Sequence, residues 1–224
     1  MRAMVLAAGR GARLRPATDT TPKPLLRVGG EPLIAHHLRK LAVAGITEVV
    51  VNTGWLGEQL PAALGDGSRW GVSIAWSHEG WPALDTGGGI RNALPLLGDA
   101  PFLLINSDVW SDIDYAGLAE APAPEDLGRL VLVPNPPQHP EGDFGLVDGR
   151  VDCGPGPRWT YSGLAVLRPE ILGASRGGFP LAPLLREAAR EKRLAGQHSR
   201  VEWHDVGTPE RLDALRRRLD PAGN

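Results

Sequence analysis

The segment that follows the first apolar stretch constrains this chain more than any other. Residues 2–8 read as a short buried strand, and between Gly9 and Gly30 the chain then sets Pro16, Pro22 and Pro24 among its glycines. Proline removes a backbone donor and clashes with the preceding turn, so no regular helix runs through 9–30. A long loop must therefore leave the C-terminal end of a strand, which is where open α/β sheets bind ligands. The small residues Ala7, Ala8, Gly9, Gly11 and Ala12 let backbone N–H groups approach a phosphate or a base, and Arg13 and Lys23 can neutralise a polyphosphate. The loop reads as an anion site; its plain alternative is a Gly-rich turn with two solvent-facing basic residues. Two familiar phosphate motifs fail on spelling. Gly9-Arg-Gly11-Ala-Arg-Leu14 lacks the third glycine of a dinucleotide fingerprint, and no Gly-Lys-Ser/Thr follows as a P-loop requires.

Only three lysines, at 23, 40 and 192, occur among the 24 basic residues, so a lysine inside this loop asks for a reason. Against 26 acidic residues the formal charge is −2, which argues against a general nucleic-acid binder, and a 42% hydrophobic content excludes intrinsic disorder. The 224 residues suit one domain, 1–224. The apolar run 3–8 is far short of the ~20 residues of a membrane span and is followed by Gly9-Arg10-Gly11 in place of a cleavage site, so neither a membrane segment nor an export signal is expected. The single cysteine, Cys153, rules out an internal disulfide framework and a Cys-based zinc site, and a reducing cytoplasm is the simplest home. With no His nearby in a Gly/Pro-rich stretch, Cys153 reads as incidental rather than as a nucleophile.

Along the chain, helical spacing over 32–44 is ended by Gly45, and strands are expected at 48–52, 72–76 and 102–105, with helices at about 55–64 and from Gly89 to about Leu94. Strand and helix alternate at least three times, the sign of an α/β fold with a largely parallel sheet and right-handed crossovers. Further on, 130–133 and 161–167 read as strands, 143–152 as a hairpin, and 180–193 and 208–219 as helices. The Pro-rich loop 134–142 is either a lid or a plain surface connection.

Asp108 follows the apolar strand 102–105, where a carboxylate can hold a hard cation against phosphates. Asp205 follows the strand-like Val201-Glu-Trp203 and opens the last helix, either as a cation ligand or as a helix cap. His36 and His37 are adjacent on a helix and point apart, which makes them poor co-ligands. Asp85-Thr86-Gly87-Gly88-Gly89 reads as a second Gly-rich turn before a helix, so either something flat or bulky lies against that backbone or the turn is merely flexible. Most of the seven tryptophans suit the core, with Trp55 and Trp110 placed after strand ends where they could border a pocket.

At Gly9-Arg-Gly11-Ala-Arg13-Leu14-Arg-Pro16 and Pro22-Lys23-Pro24 the chain resembles the sugar-1-phosphate nucleotidylyltransferases, whose signature is Gly-x-Gly-x-Arg-Leu-x-Pro followed by Pro-Lys-Pro. Further family features follow in the expected order, so the resemblance spans the chain. Leu84-Asp-Thr-Gly-Gly-Gly-Ile90 and Asn106-Ser-Asp108-Val-Trp110 are most similar to the short branch without a C-terminal β-helix, the N-acetylmuramate-1-phosphate uridylyltransferase type. The resemblance implies the nucleotide-diphospho-sugar transferase fold, a Rossmann-like three-layer α/β/α arrangement with a mostly parallel mixed sheet. It implies Mg²⁺ held by Asp108 and Asp205, Arg13 on a departing pyrophosphate, and Lys23 between two reacting phosphates.

In the same way Thr86, Gly87 and Gly88 are assigned to the nucleotide base. Glu79 lies where similar enzymes contact nucleotide, with a solvated Glu as the alternative. Asn106, Asp143, Ser162 and Gly163 are assigned to the sugar. The implied partners are a nucleoside triphosphate and a sugar 1-phosphate, UTP and N-acetylmuramate 1-phosphate first, as in peptidoglycan recycling, with a hexose or heptose 1-phosphate and another base as runner-up. A catalytically silent nucleotide-sugar sensor is the alternative from another class, and the chain is expected as a monomer or small homo-oligomer. Two departures stand out. Ser107 replaces the glycine usual between Asn and Asp, and no lysine between 41 and 191 supplies the second lysine of larger relatives, so either Arg158 substitutes or the role is absent.

Overall fold

The structure, a computed structural model, describes residues 1–220; the last four residues of the expected domain lie outside the described residues. The chain begins with β1 (Arg2–Leu6) and enters the Gly/Pro-rich loop, which holds two short 3-10 turns (Ala12–Leu14 and Lys23–Leu25), a four-residue helix α1 (Ala17–Thr20) and the two-residue strand β2 (Arg27–Val28), paired with β3 (Glu31–Pro32) just after it. Then come α2 (Leu33–Val43), β4 (Glu48–Thr53), α3 (Gln59–Leu64), β5 (Ser73–His78), α4 (Asp85–Leu97), β6 (Phe102–Asn106) and β7 (Val109–Ser111). The second half holds β8 (Gly128–Val133), β9 (Gly145–Val147), β10 (Arg150–Asp152), β11 (Thr160–Leu167), α5 (Ala182–Arg190), β12 (Leu194–His198), β13 (Trp203–Asp205) and α6 (Pro209–Leu219).

Nine strands form one sheet in the order β5-β4-β1-β6-β11-β8-β12-β10-β9. β5, β4, β1 and β6 are mutually parallel, β11 and β10 run against the rest, and β8 and β12 pair in parallel again. The C-terminal ends of β1, β4, β6 and β8 and the N-terminal end of β11 thus share one edge, and the site opens there. Period-2 alternation assigns side chains to the two faces. Ala3 and Val5 enter a core with Ile34 and Leu38 of α2 and Leu60 of α3, whereas Met4 between them enters the opposite core with Ile90 of α4 and Leu185 of α5. Three layers follow. A third cluster, with Leu14, Val28, Trp110, Leu212 and Leu215, clamps α6 against the base of the Gly/Pro-rich loop.

Two expectations change at this level. The glycines 87–89 lie inside the first turn of α4 rather than before it. A small sheet absent from the sequence reading, β7 paired antiparallel with β13, also appears; its two strands lie some ninety residues apart, so no local pattern shows the pairing.

Candidate active site

A cavity of about 390 Å³ opens at the strand ends, walled on one side by Gly9, Gly11, Ala12, Arg13 and Lys23 and on the other by Asn52, Glu79, Ala83, Asp85 and Thr86. The loop expected to take an anion therefore faces a hollow large enough for a small ligand. Arg13 is exposed and faces both this cavity and the clefts beside it. Lys23 is 8% exposed, and its Nζ lies 2.8 Å from Asp108 Oδ2. A nearly buried ammonium needs a partner, and this carboxylate is it. The Ala7 N–H, expected to face phosphate, instead donates to Asn52 Oδ1 at 2.5 Å.

Asp108 and Asp205 come together through the small sheet. Asp205 pairs with Val109, and the Val206 N–H donates to Asp108 O at 2.8 Å. Asp205 ends β13 and does not cap α6; Thr208 does, its Oγ1 accepting from the Arg211 N–H at 3.5 Å. The Asp205 carboxylate instead receives Arg211 Nη1 at 2.7 Å. Each aspartate thus carries one basic partner, Lys23 or Arg211.

Beside them, a cleft of about 210 Å³ brings Asn106, Asp108, Ser162, Gly163 and Asp205 together under Gln138 and His139 of the Pro-rich loop. That loop is therefore a wall of the site, not a remote connection. Asp143 faces the adjoining cleft with Arg13 and Arg211. Its Oδ2 accepts from the Tyr161 N–H at 2.8 Å, and its Oδ1 lies 3.1 Å from His139 Nε2. Ser162 is fully buried, its Oγ accepting from the Leu164 N–H at 3.2 Å, while its carbonyl accepts from the Trp203 indole at 2.9 Å. Burial and the neighbouring Asp143 push the Tyr161 phenol above its ordinary pKa, so it stays neutral.

Residues 2–152 match the model of the nucleotidyl transferase family. The chain belongs to the nucleotidyl transferase family. It is 50% identical over 220 residues to the N-acetylmuramate alpha-1-phosphate uridylyltransferase of Neisseria meningitidis serogroup B, with 95% of each chain covered. A protein of the same name from Caulobacter vibrioides is 36% identical over 237 residues, covering 98% of this chain and 97% of the relative. A crystal structure of a putative glucose-1-phosphate thymidylyltransferase from Bacillus anthracis, in complex with a sucrose, superimposes with a TM-score of 0.86 at 20% identity over 100% of this chain and 97% of that one, which shows the fold.

Within this nucleotidyl transferase the remaining expected residues divide. Glu79 is not a solvated side chain: Oε1 accepts from Asn52 Nδ2 at 2.6 Å and Oε2 from the Leu84 N–H at 2.8 Å, so it braces the cavity wall. Gly87 and Gly88 do not face the cavity; both N–H groups donate to Phe179 O, at 2.9 and 3.0 Å. What lies flat against them is this chain's own segment, because a Cβ on Gly87 would run into the Phe179 ring and one on Gly88 would meet Gly177 O at 2.5 Å. Ser107 spends its N–H on Leu6 O at 3.1 Å, tying β6 to β1. Arg158 is outside the lining of these cavities, and its carbonyl accepts from Asn135 Nδ2 at 3.0 Å. Trp110 is in the third core cluster and Trp55 behind the loop; the tryptophan that borders the smaller cleft is Trp203.

Sequence reasoning missed Asn52, Gln138, His139 and Arg211. Arg211 carried no local signal, since it reads as one more basic residue of an Arg-rich helix. Among the described residues no group of three or more His, Cys, Asp or Glu converges. Two adjacent carboxylates offer hard oxygen donors, a set that suits Mg²⁺ when substrate phosphates supply the remaining oxygens.

Proposed function

We propose that the chain, acting as one nucleotidyltransferase domain in the cytoplasm as a monomer or small homo-oligomer, joins UTP to N-acetylmuramate 1-phosphate and releases pyrophosphate. The observation that carries this reading is that Arg13 and Asp108 line both cavities, with Lys23 beside them in the larger and Asp205 in the smaller, in a chain so similar over its length to relatives of that name. The nucleotide would lie in the larger cavity, its base toward Glu79 and Thr86 and its phosphates over Gly9, Gly11 and Ala12. The sugar would lie in the smaller cleft against Asn106, Ser162 and Gly163 and reach Asp143 in the adjoining cleft.

A phosphate oxygen of the sugar 1-phosphate attacks the α-phosphorus, a new O–P bond forms, and the bond from the α-phosphorus to the bridging oxygen of the leaving pyrophosphate breaks. Little covalent work falls to the protein, so positioning and charge neutralisation carry the rate. Arg13 receives charge on the pyrophosphate, and Lys23 sits between the reacting phosphates. Asp108 and Asp205 would hold Mg²⁺, which supplies positive charge against the phosphate oxygens. Lys23 and Arg211, which pair with the two carboxylates in this structure, would be available to substrate anions when Asp108 and Asp205 hold the cation.

The test is pyrophosphate release from purified protein with Mg²⁺, each common nucleoside triphosphate and a panel of sugar 1-phosphates. Release with UTP and N-acetylmuramate 1-phosphate is the expected result. Release only with another pair would reassign the substrates within the same chemistry, and nucleotide-sugar binding without any release would make the protein a sensor.

A further inference from the structure

The phosphate loop is held from outside the cavity by an aromatic side chain. β4 runs on into Gly54 and Trp55, and Trp55 meets the loop at three separated points. Its backbone N–H donates to Ala8 O at 3.1 Å, its indole N–H donates to Thr18 O at 2.9 Å, and its ring carries the Arg10 guanidinium 4.6 Å from the centroid. Thr18 is fully buried and passes the constraint on, its Oγ1 donating to Gly11 O at 2.9 Å. Gly54 permits the approach, since a Cβ there would meet Ala8 O at 2.7 Å. On its far side Trp55 receives Trp81 edge-on at 5.2 Å between centroids. Neither Trp55 nor Thr18 lines the cavity, whereas Gly9, Gly11, Ala12 and Arg13 do.

We infer that Trp55 is a positioning residue for nucleotide binding: it fixes the loop so that its backbone N–H groups and Arg13 meet the triphosphate already arranged. A loop left to order itself on each binding event would charge that entropy against affinity, and a pre-set loop does not. The cation–π and indole contacts place the constraint on both arms of the turn around Gly11, which explains why one residue suffices. This inference rests on the nucleotide site of the proposed function.

Two substitutions test it. Trp55→Phe keeps a ring beneath Arg10 and removes the donor to Thr18; Trp55→Leu removes both. UTP is titrated calorimetrically without sugar, steady-state kinetics are measured with both substrates, and melting temperatures are read on the same samples. The expected result is UTP binding weakened about tenfold in the Phe variant and further in the Leu variant, with KM for UTP rising in step and kcat at saturating UTP and KM for the sugar 1-phosphate within about threefold of wild type. A Phe variant that melts like wild type and binds UTP like wild type overturns the inference, as does a fall in kcat with UTP binding unchanged. Wild-type protein that binds UTP but releases no pyrophosphate with any sugar overturns the proposed reaction alone, because the titration still decides the role of Trp55. Wild-type protein that binds no nucleoside triphosphate overturns both.

Discussion

The two sides of this molecule, one proposed to take nucleotide and the other sugar, are built on different plans. Around the larger cavity the walls are braced by side chains that point at each other, as in Asn52 bridging Ala7 and Glu79, and the cavity edge is made of four parallel strands. Around the smaller cleft, polar groups come from β6, β11, β13 and the Pro-rich loop, and several of the ties that hold them cross between segments, as the Trp203 indole donates to Ser162 O and the Tyr161 N–H to Asp143. The contrast teaches that the first site is braced among neighbouring strands of the parallel half, whereas the second also needs β11 and β13 to pair from the other half of the chain. Substitutions on the seam between them should therefore do the most damage, and substitutions on the sugar side should act on one substrate alone.

Asp108→Asn and Asp205→Asn should show the largest effect. Either removes a carboxylate on which both substrates' phosphates converge in the proposed reaction, and Asp108→Asn also strips the nearly buried Lys23 of its partner. Pyrophosphate release at saturating substrates is expected to fall about 10³-fold in each. Calorimetry with Mg²⁺ and UTP should show weakened cation binding in both variants. A loss in only one would place the cation on one side of the seam.

Lys23→Ala comes next. A group acting chiefly where charge develops lowers turnover without a matching loss of ground-state affinity, so kcat should drop about 10²-fold while UTP affinity changes less than about fivefold. Equal falls in both would make Lys23 a ground-state phosphate ligand and extend the nucleotide side across the seam.

The two sides also differ in how they respond to acid. His37 lies in the core on the nucleotide side, its Nδ1 2.7 Å from the Tyr115 hydroxyl, and burial lowers its pKa from the ordinary 6.5 to about 4. The unfolded chain therefore takes up a proton first as pH falls. The neutral ring's contribution is complete above about pH 6.5 and is lost progressively down to about pH 4, worth about 3 kcal/mol in all. Denaturant midpoints at pH 7.5 and pH 5 should show a smaller difference in His37→Gln than in wild type. His198, on the sugar side, is also lowered by burial but lies at the sheet's end against Trp159; His198→Gln should flatten the profile less.

The same division sets how much could be read from sequence. The alternation to residue 106, the loop 9–30 and the aspartate after β6 follow from periodicity and proline, which are local. Glycines 87 and 88 left a close approach open as one reading, but what approaches is the segment around Phe179, some ninety residues away, and no local pattern announces it. Arg13, Lys23 and Asp108 stood out as candidates because they flank strong elements, and Asn106 because of the resemblance. Asn52 and Arg211 were passed over because each looks like an ordinary strand or helix residue until β4 meets β1 or β13 meets β7. Sequence saw Asp205 as a possible helix cap; the choice against that reading lies in the Thr208 hydroxyl, three residues on.

Asp143→Asn should be the mildest of these changes and the sharpest test of the two-sided plan. The asparagine keeps an oxygen for the Tyr161 N–H but carries no charge toward His139, so the Pro-rich wall loses its anchor while β11 keeps its place. On that geometry KM for the sugar 1-phosphate should rise about tenfold, about one hydrogen bond to a charged group, with UTP affinity measured without sugar unchanged. If UTP affinity falls in parallel, Asp143 reaches the nucleotide through Arg13, which faces the same cleft. The two sites would then be one continuous surface, and the separation between a locally braced pocket and a cleft assembled from distant strands would describe how they fold but not how they bind.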